Sequence, residues 1–167
     1  ERVQTMKYLI IPGLYGSNEM HWQSRWETLL PCIRVHQKNW DQPQLEEWLN
    51  QLNQTIEACE EDIVFVAHSL GSILVLHWAK RYQNTKVKAA LLVAPADVDD
   101  LKYTPDVVRH FAPIPTIQLP FNSFVVLSEN DPYMDVNRSI YFANTWCARF
   151  VNAGRIVHIN AQSNLGD

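Results

Sequence analysis

Three residues in this chain have the types and the order needed for nucleophilic chemistry on an acyl group: Ser69, Asp131 and His158. A serine hydroxyl is a weak nucleophile near neutral pH. An imidazole beside it can take its proton during attack and return that proton to the leaving group. A carboxylate behind the ring holds the tautomer and stabilises the imidazolium. Ser69 sits in Ala67-His68-Ser69-Leu70-Gly71, a G-x-S-x-G pattern with Ala in place of the first Gly. Such a short pattern occurs by chance, so its weight comes from its flanks. The apolar, β-branched run Asp62 to Ala67 reads as a buried strand, and the apolar run after Gly71 is long enough for a helix. A turn between them forces the serine onto a sharp corner. Its hydroxyl is then exposed at the C-terminal edge of a sheet, beside the free N–H groups of the helix start.

Each partner has competitors. His68 lies within the elbow and is expected to point away from the Ser69 side chain; His77 lies two turns along the helix, and His36 and His110 have no supporting context. His21 follows a glycine loop and is better suited to ordering that loop than to acting as the base. For the acid, Asp135 shares a turn with Asp131, while Asp97 and Asp99 follow the preceding strand. Asp131 is preferred because it comes straight after a strand and before Pro132. The expected oxyanion donors are the backbone N–H groups of Leu70 and of Leu14, in the loop Gly13 to Ser17. That loop has neither G-x-G-x-x-G nor G-x-x-x-x-G-K-[ST], which argues against a phosphate cradle.

The elements that must position these groups alternate along the chain. Lys7 to Ile11 reads as a strand ending at Pro12-Gly13, and Met20 to Leu30 places Trp22, Trp26, Leu29 and Leu30 at helical spacing. Ile33 to Gln37 alternates like an edge strand, and Gln44 to Glu57 carries Leu45, Trp48, Leu49, Leu52 and Ile56 on one helical face. Val87 to Ala94 is a further buried strand. From Ala96 to Asn122 the pattern fades among prolines and aspartates, an excursion of the kind that covers a site. Ser123 to Ser128 returns as a strand, Val136 to Trp146 as an amphipathic helix, and Ala148 to Gly154 as the last strand, with His158 in the loop after it. Ser69, Asp131 and His158 thus each follow a strand, where a parallel sheet gathers its functional groups.

Composition narrows the rest. The 167 residues, with 47% hydrophobic and 19% charged, suit one domain spanning residues 1–167. A net charge of -4 provides no basic field for nucleic acid, and no apolar run approaches the roughly 20 residues of a membrane span. Cys32, Cys59 and Cys147 are scattered and odd in number, forming neither a disulfide framework nor a zinc pattern. No metal or cofactor is expected, and the simplest localisation is cytoplasmic.

With these motifs the chain resembles the small single-domain serine hydrolases related to retinoblastoma-binding protein nine, within the α/β-hydrolase superfamily. The resemblance is carried by Pro12-Gly13, His21-Trp22, Trp40-Asp41-Gln42-Pro43, the elbow, Pro113-Ile114-Pro115, Leu119-Pro120-Phe121, Asn130-Asp131-Pro132-Tyr133 and His158-Ile159-Asn160-Ala161. It implies an α/β-hydrolase fold: a three-layer sandwich with a mostly parallel sheet of about six strands, helices on both faces and no large lid. It also implies the triad roles of Ser69, Asp131 and His158, with a closing segment beyond Asp167. Ala67 and Val157 stand where glycine is usual, and Val157 restricts how its loop presents the histidine. The expected activity is a carboxylesterase-like serine hydrolase that acylates Ser69 and acts on a small ester, thioester or amide. Gly13, Tyr15, His21, Trp22 and Tyr133 are the substrate-pocket candidates. A non-catalytic protein-binding module is the first alternative, prompted by the six tryptophans, although nothing specific indicates a protein partner. A haloperoxidase-like or lyase activity on the same fold is the second.

Overall fold

The computed structural model describes residues 5–17, 21–160 and 163. Six strands form one sheet: β1 (Met6–Ile11), β2 (Cys32–Arg34), β3 (Asp62–His68), β4 (Val87–Val93), β5 (Asn122–Leu127) and β6 (Arg149–Asn152). Their order is β2-β1-β3-β4-β5-β6 and every pairing is parallel. The helices are α1 (Trp22–Leu29), α2 (Leu45–Ala58), α3 (Leu70–Arg81) and α4 (Val136–Thr145), with a 3-10 helix at Asp106–Phe111. This is the α/β-hydrolase architecture.

The central strands β1, β3 and β4 are apolar on both faces because both faces are covered. On one face Leu9, Phe65 and Leu92 pack against α2, α3 and α4. Trp48, Leu49, Leu52 and Ile56 of α2 are all at most 1% exposed, which at roughly 1.5–3 kcal/mol per large side chain anchors that helix. The helix α3 is apolar almost all round, and it is buried from Leu70 to Leu76.

On the other face Ile10, Val66 and Val93 meet Trp22 and Trp26, so α1 is the one described helix that joins this cluster. The register puts Leu91, Phe124, Val126 and Val151 on the same face. There Phe124 is 40% and Val151 51% exposed. The edges are shorter than the alternating pattern implied. Only Cys32–Arg34 pairs in β2, and β6 is exposed throughout because no described element packs on it from outside. Leu29, expected on the packed face of α1, is 66% exposed at the helix end; the expected start at Met20 lies outside the described residues.

All strands point the same way, so their C-terminal ends share one edge. Loops after β1, β3, β5 and β6 meet there, and the stretch from Ala96 to Phe111 folds over them.

Candidate active site

Ser69 stands between β3 and α3 with φ 56° and ψ −119°, a conformation costly for a residue with a Cβ. The surroundings enforce it. A Cβ on Gly71 would lie 2.3 Å from the Ile11 carbonyl oxygen, so only glycine allows α3 to start this close to β1. On the other side, a Cβ on Gly13 would lie 3.0 Å from the Ser69 Cβ and 3.1 Å from the Leu70 nitrogen. The glycine brings the β1 loop against the elbow. Ala67 is wholly buried, and its methyl is accommodated where the commoner pattern has glycine.

His158 Nε2 lies 2.6 Å from Ser69 Oγ, and His158 Nδ1 lies 2.9 and 3.0 Å from the two carboxylate oxygens of Asp131. An ionised carboxylate only accepts, so Nδ1 carries the proton and Nε2 is left to accept from the serine hydroxyl. Asp131 Oδ1 also accepts from the Tyr133 backbone N–H at 2.8 Å. All three side chains are at least nine-tenths buried. The competing residues are engaged elsewhere. Asp135 caps α4, accepting from the Asn137 and Arg138 N–H groups. Asp97 is fully buried and bound by the Arg138 guanidinium, which also reaches Asp99. His77 donates to the Phe111 carbonyl at 2.6 Å.

The loop that presents His158 is held at several points. His68 Nε2–H donates to the His158 carbonyl at 2.8 Å, and the Trp22 indole donates to the Ile159 carbonyl at 2.8 Å. Asn130 Oδ1 accepts from the Val157 N–H at 2.9 Å, and Ser128 Oγ accepts from the Ile156 N–H at 3.0 Å. Val157 and Ile159 both have positive φ, 50° and 52°, which β-branched residues rarely adopt. His68 packs beside His21 and Trp22, and its ring also lies 4.9 Å from that of His158 and lines the same cavity. Trp22 needs a correction. It belongs to the cluster under the sheet and does not line the cavity; its indole reaches the histidine loop from behind.

The loop carrying Leu14 is held by a residue that sequence reading missed. Gln23 is fully buried. Its amide NH2 donates to the carbonyls of Ile11 and Val66 at 3.3 and 3.0 Å, and its carbonyl accepts from Ser17 Oγ at 2.6 Å. One side chain thus ties the ends of β1 and β3 to the far end of the loop. A polar residue on the otherwise apolar inner face of α1 was the available signal. His21 caps α1: its Nδ1 accepts from the Gln23 backbone N–H at 3.1 Å. Burial, with help from the nearby Arg34 and His158, lowers its pKa to about 4. Burial, with smaller contributions from His158 and His21, holds His68 well below the ordinary histidine value. Both rings are therefore neutral near pH 7.

Ser69 opens into a cavity of about 570 Å³. Leu14, Leu70, Ala96, Pro105 and Val108 supply apolar wall, so the excursion after β4 does lie over the elbow. Gly13, Tyr15, His21 and Tyr133 also line it. Among the described residues no cluster of His, Cys, Asp and Glu could hold a metal ion, and no helix is long and apolar enough to cross a membrane.

The fold recurs in solved structures. A YdeN-like hydrolase from Pectobacterium atrosepticum is 28% identical, with a TM-score of 0.84 over 97% of this chain and 84% of that one. The ydeN gene product of Bacillus subtilis is 20% identical, with a TM-score of 0.76 over 96% and 91%. Est1E of Butyrivibrio proteoclasticus, with ferulic acid bound, shares the fold at 16% identity and a TM-score of 0.69 over 94% and 82%. No curated protein matches the sequence. The family model described as serine hydrolase matches residues 8–167, nearly the whole chain, and the chain belongs to that family.

Proposed function

We propose that this serine hydrolase works through an acyl-enzyme on Ser69, with His158 as general base and acid, Asp131 as its orienting carboxylate, and a small ester, thioester or amide as substrate. The observation that carries this reading is the continuous hydrogen-bond chain from Asp131 through His158 to Ser69 Oγ at the cavity wall. In the first half-reaction Ser69 Oγ bonds to the substrate carbonyl carbon as His158 Nε2 takes the hydroxyl proton. The carbonyl π electrons move to oxygen, where the N–H groups of Leu70 and Leu14 are the proposed donors; losing one would cost roughly 3–4 kcal/mol. The tetrahedral intermediate collapses, the bond to the leaving group breaks, and His158 gives that group its proton. Water then repeats the sequence on the acyl-enzyme, releasing the acid and restoring the serine.

A carboxylester is the substrate tested first. The three unpaired cysteines support a reducing, cytoplasmic setting. The test is labelling by a fluorophosphonate probe. The intact chain is expected to label, and Ser69→Ala and His158→Ala to lose labelling while remaining folded. A folded intact chain that fails to label would remove the nucleophile assignment and favour a binding module on the same scaffold.

A further inference from the structure

The wall of the Ser69 cavity has a chemical character that narrows the substrate. Among the described residues, no lining side chain is an Asp, Glu, Lys or Arg. Charged groups lie close by, and each bonds to the protein, although the buried Arg109 Nε has no hydrogen-bond partner among the described residues. Arg109 donates to the carbonyls of Val98 and Thr104 and to the Thr104 hydroxyl. Arg138 is taken up by Asp97 and Asp99. Asp131 faces the His158 ring and the Tyr133 N–H. The hydroxyl of Thr104, the polar side chain on the excursion wall, donates to the Asp97 carbonyl at 2.8 Å.

The lining imidazoles also bond to the protein, although the buried His21 Nε2 has no hydrogen-bond partner among the described residues. His158 serves Ser69, and His68 donates to the His158 carbonyl. His21 Nδ1 accepts from the Gln23 N–H, and burial keeps His21 and His68 uncharged near pH 7. A ligand charge brought against this wall would shed hydration and meet no counter-ion among the described residues, a loss that buried ions recover only through a well-placed partner.

We infer that the substrate is electrically neutral in both the acyl part and the leaving part: an uncharged carboxylic ester or thioester with a small, largely apolar body. This rests on the reading of Ser69 as the acylated nucleophile. A carboxylate-bearing acyl group or a quaternary ammonium alcohol would be poor substrates despite fitting by volume.

The test uses two pairs matched in shape and differing in charge, with the intact chain and active sites counted by a neutral fluorophosphonate. Phenyl methyl succinate against phenyl hydrogen succinate probes an anion on the acyl side. 3,3-Dimethylbutyl acetate against acetylcholine probes a cation on the leaving side. The neutral member of each pair is expected to have the higher kcat/KM by about tenfold or more, for both signs of charge. Tyr15, 69% exposed at the rim, provides a second handle. Tyr15→Arg is expected to narrow the gap for the anionic ester several-fold and leave or widen the gap for the cationic one. Hydrolysis of either charged ester as fast as its neutral partner, with Ser69 labelling normally, overturns the inference while the nucleophile reading stands. Preference for the cation would do the same, since it would mean a carboxylate faces the cavity. An unchanged anion gap in Tyr15→Arg would place the discrimination outside this cavity and also overturn it. Absence of phosphonate labelling overturns the nucleophile reading and the inference with it.

Discussion

At the scale of single residues, Ser69 and Val157 are among the positions that carry strain close to the proposed chemistry. Ser69 at φ 56° is held by Gly71 and Gly13, which leave no room for the elbow to relax. Val157 at φ 50° is different: its own N–H bond to Asn130 Oδ1 and the backbone bonds of Ile156 and His158 beside it hold the conformation. A β-branched residue in this region costs on the order of 1–3 kcal/mol, whereas glycine occupies it freely. Val157→Gly is therefore expected to raise the melting temperature by about 2–4 °C, since the strain relieved exceeds the entropy lost with glycine. Differential scanning calorimetry checks this, and a lower melting temperature would show that the valine's packing outweighs its strain.

At the scale of elements, the β1 loop and α1 act as one unit through Gln23. Gln23→Met keeps the volume and removes the bonds to Ile11, Val66 and Ser17. Leaving those groups unpaired costs on the order of 2–4 kcal/mol of stability. If the loop also positions the Leu14 N–H, kcat per phosphonate-labelled site should fall by about tenfold or more with KM little changed, because an oxyanion donor acts mainly on the transition state. A variant with fewer labelled sites but unchanged kcat per site would show that Gln23 only stabilises the fold.

The ends of α1 and β3 also make stability depend on pH. His21 titrates near 6.5 in the unfolded chain and about 4 when folded. Below 6.5 the unfolded state therefore binds the proton first, and stability falls as pH drops from 6.5 towards 4, then levels off. The loss from His21 alone is about 2 kcal/mol at pH 5. His68 shifts in the same direction. Urea titrations at pH 7 and pH 5 should show the difference. His21→Asn, which keeps a capping acceptor, should give a shallower dependence; an equally steep one would assign the effect to other groups.

At the scale of the whole molecule, the sheet is unevenly covered. Three helices pack on one face, whereas on the other the described helix α1 reaches only the β1–β3 side, leaving Phe124 and Val151 half-exposed. An apolar surface of this kind binds dyes and promotes association. Replacing Phe124 and Val151 together by serine is expected to reduce binding of an environment-sensitive dye several-fold while changing the urea midpoint little. Unchanged dye binding would locate the exposed surface elsewhere. The same imbalance explains why the edge strands were harder to read than the centre. β3 and α3 announce themselves as unbroken apolar runs because both are buried on all sides. β2 pairs over only three residues and β6 is exposed throughout, so neither faced a burial constraint strong enough to set its ends.

By itself the sequence determined the alternation of strands and helices, the elbow around Ser69, and the order in which Asp131 and His158 follow. These are local matters, written in apolar periodicity, small residues at a tight corner, and turn chemistry after a strand. The sequence favoured Asp131 by its place after a strand, and the tertiary structure shows what occupies its competitors, Arg138 for Asp97 and the α4 cap for Asp135. Only the tertiary structure decided that His68 and Trp22, whose rings lie side by side, hold adjacent carbonyls of the histidine loop, and that Gln23 anchors the loop of Leu14. Those contacts join positions up to 137 residues apart. No local pattern encodes such pairs; they come into being only when the parallel sheet brings the C-terminal ends of its strands to one edge.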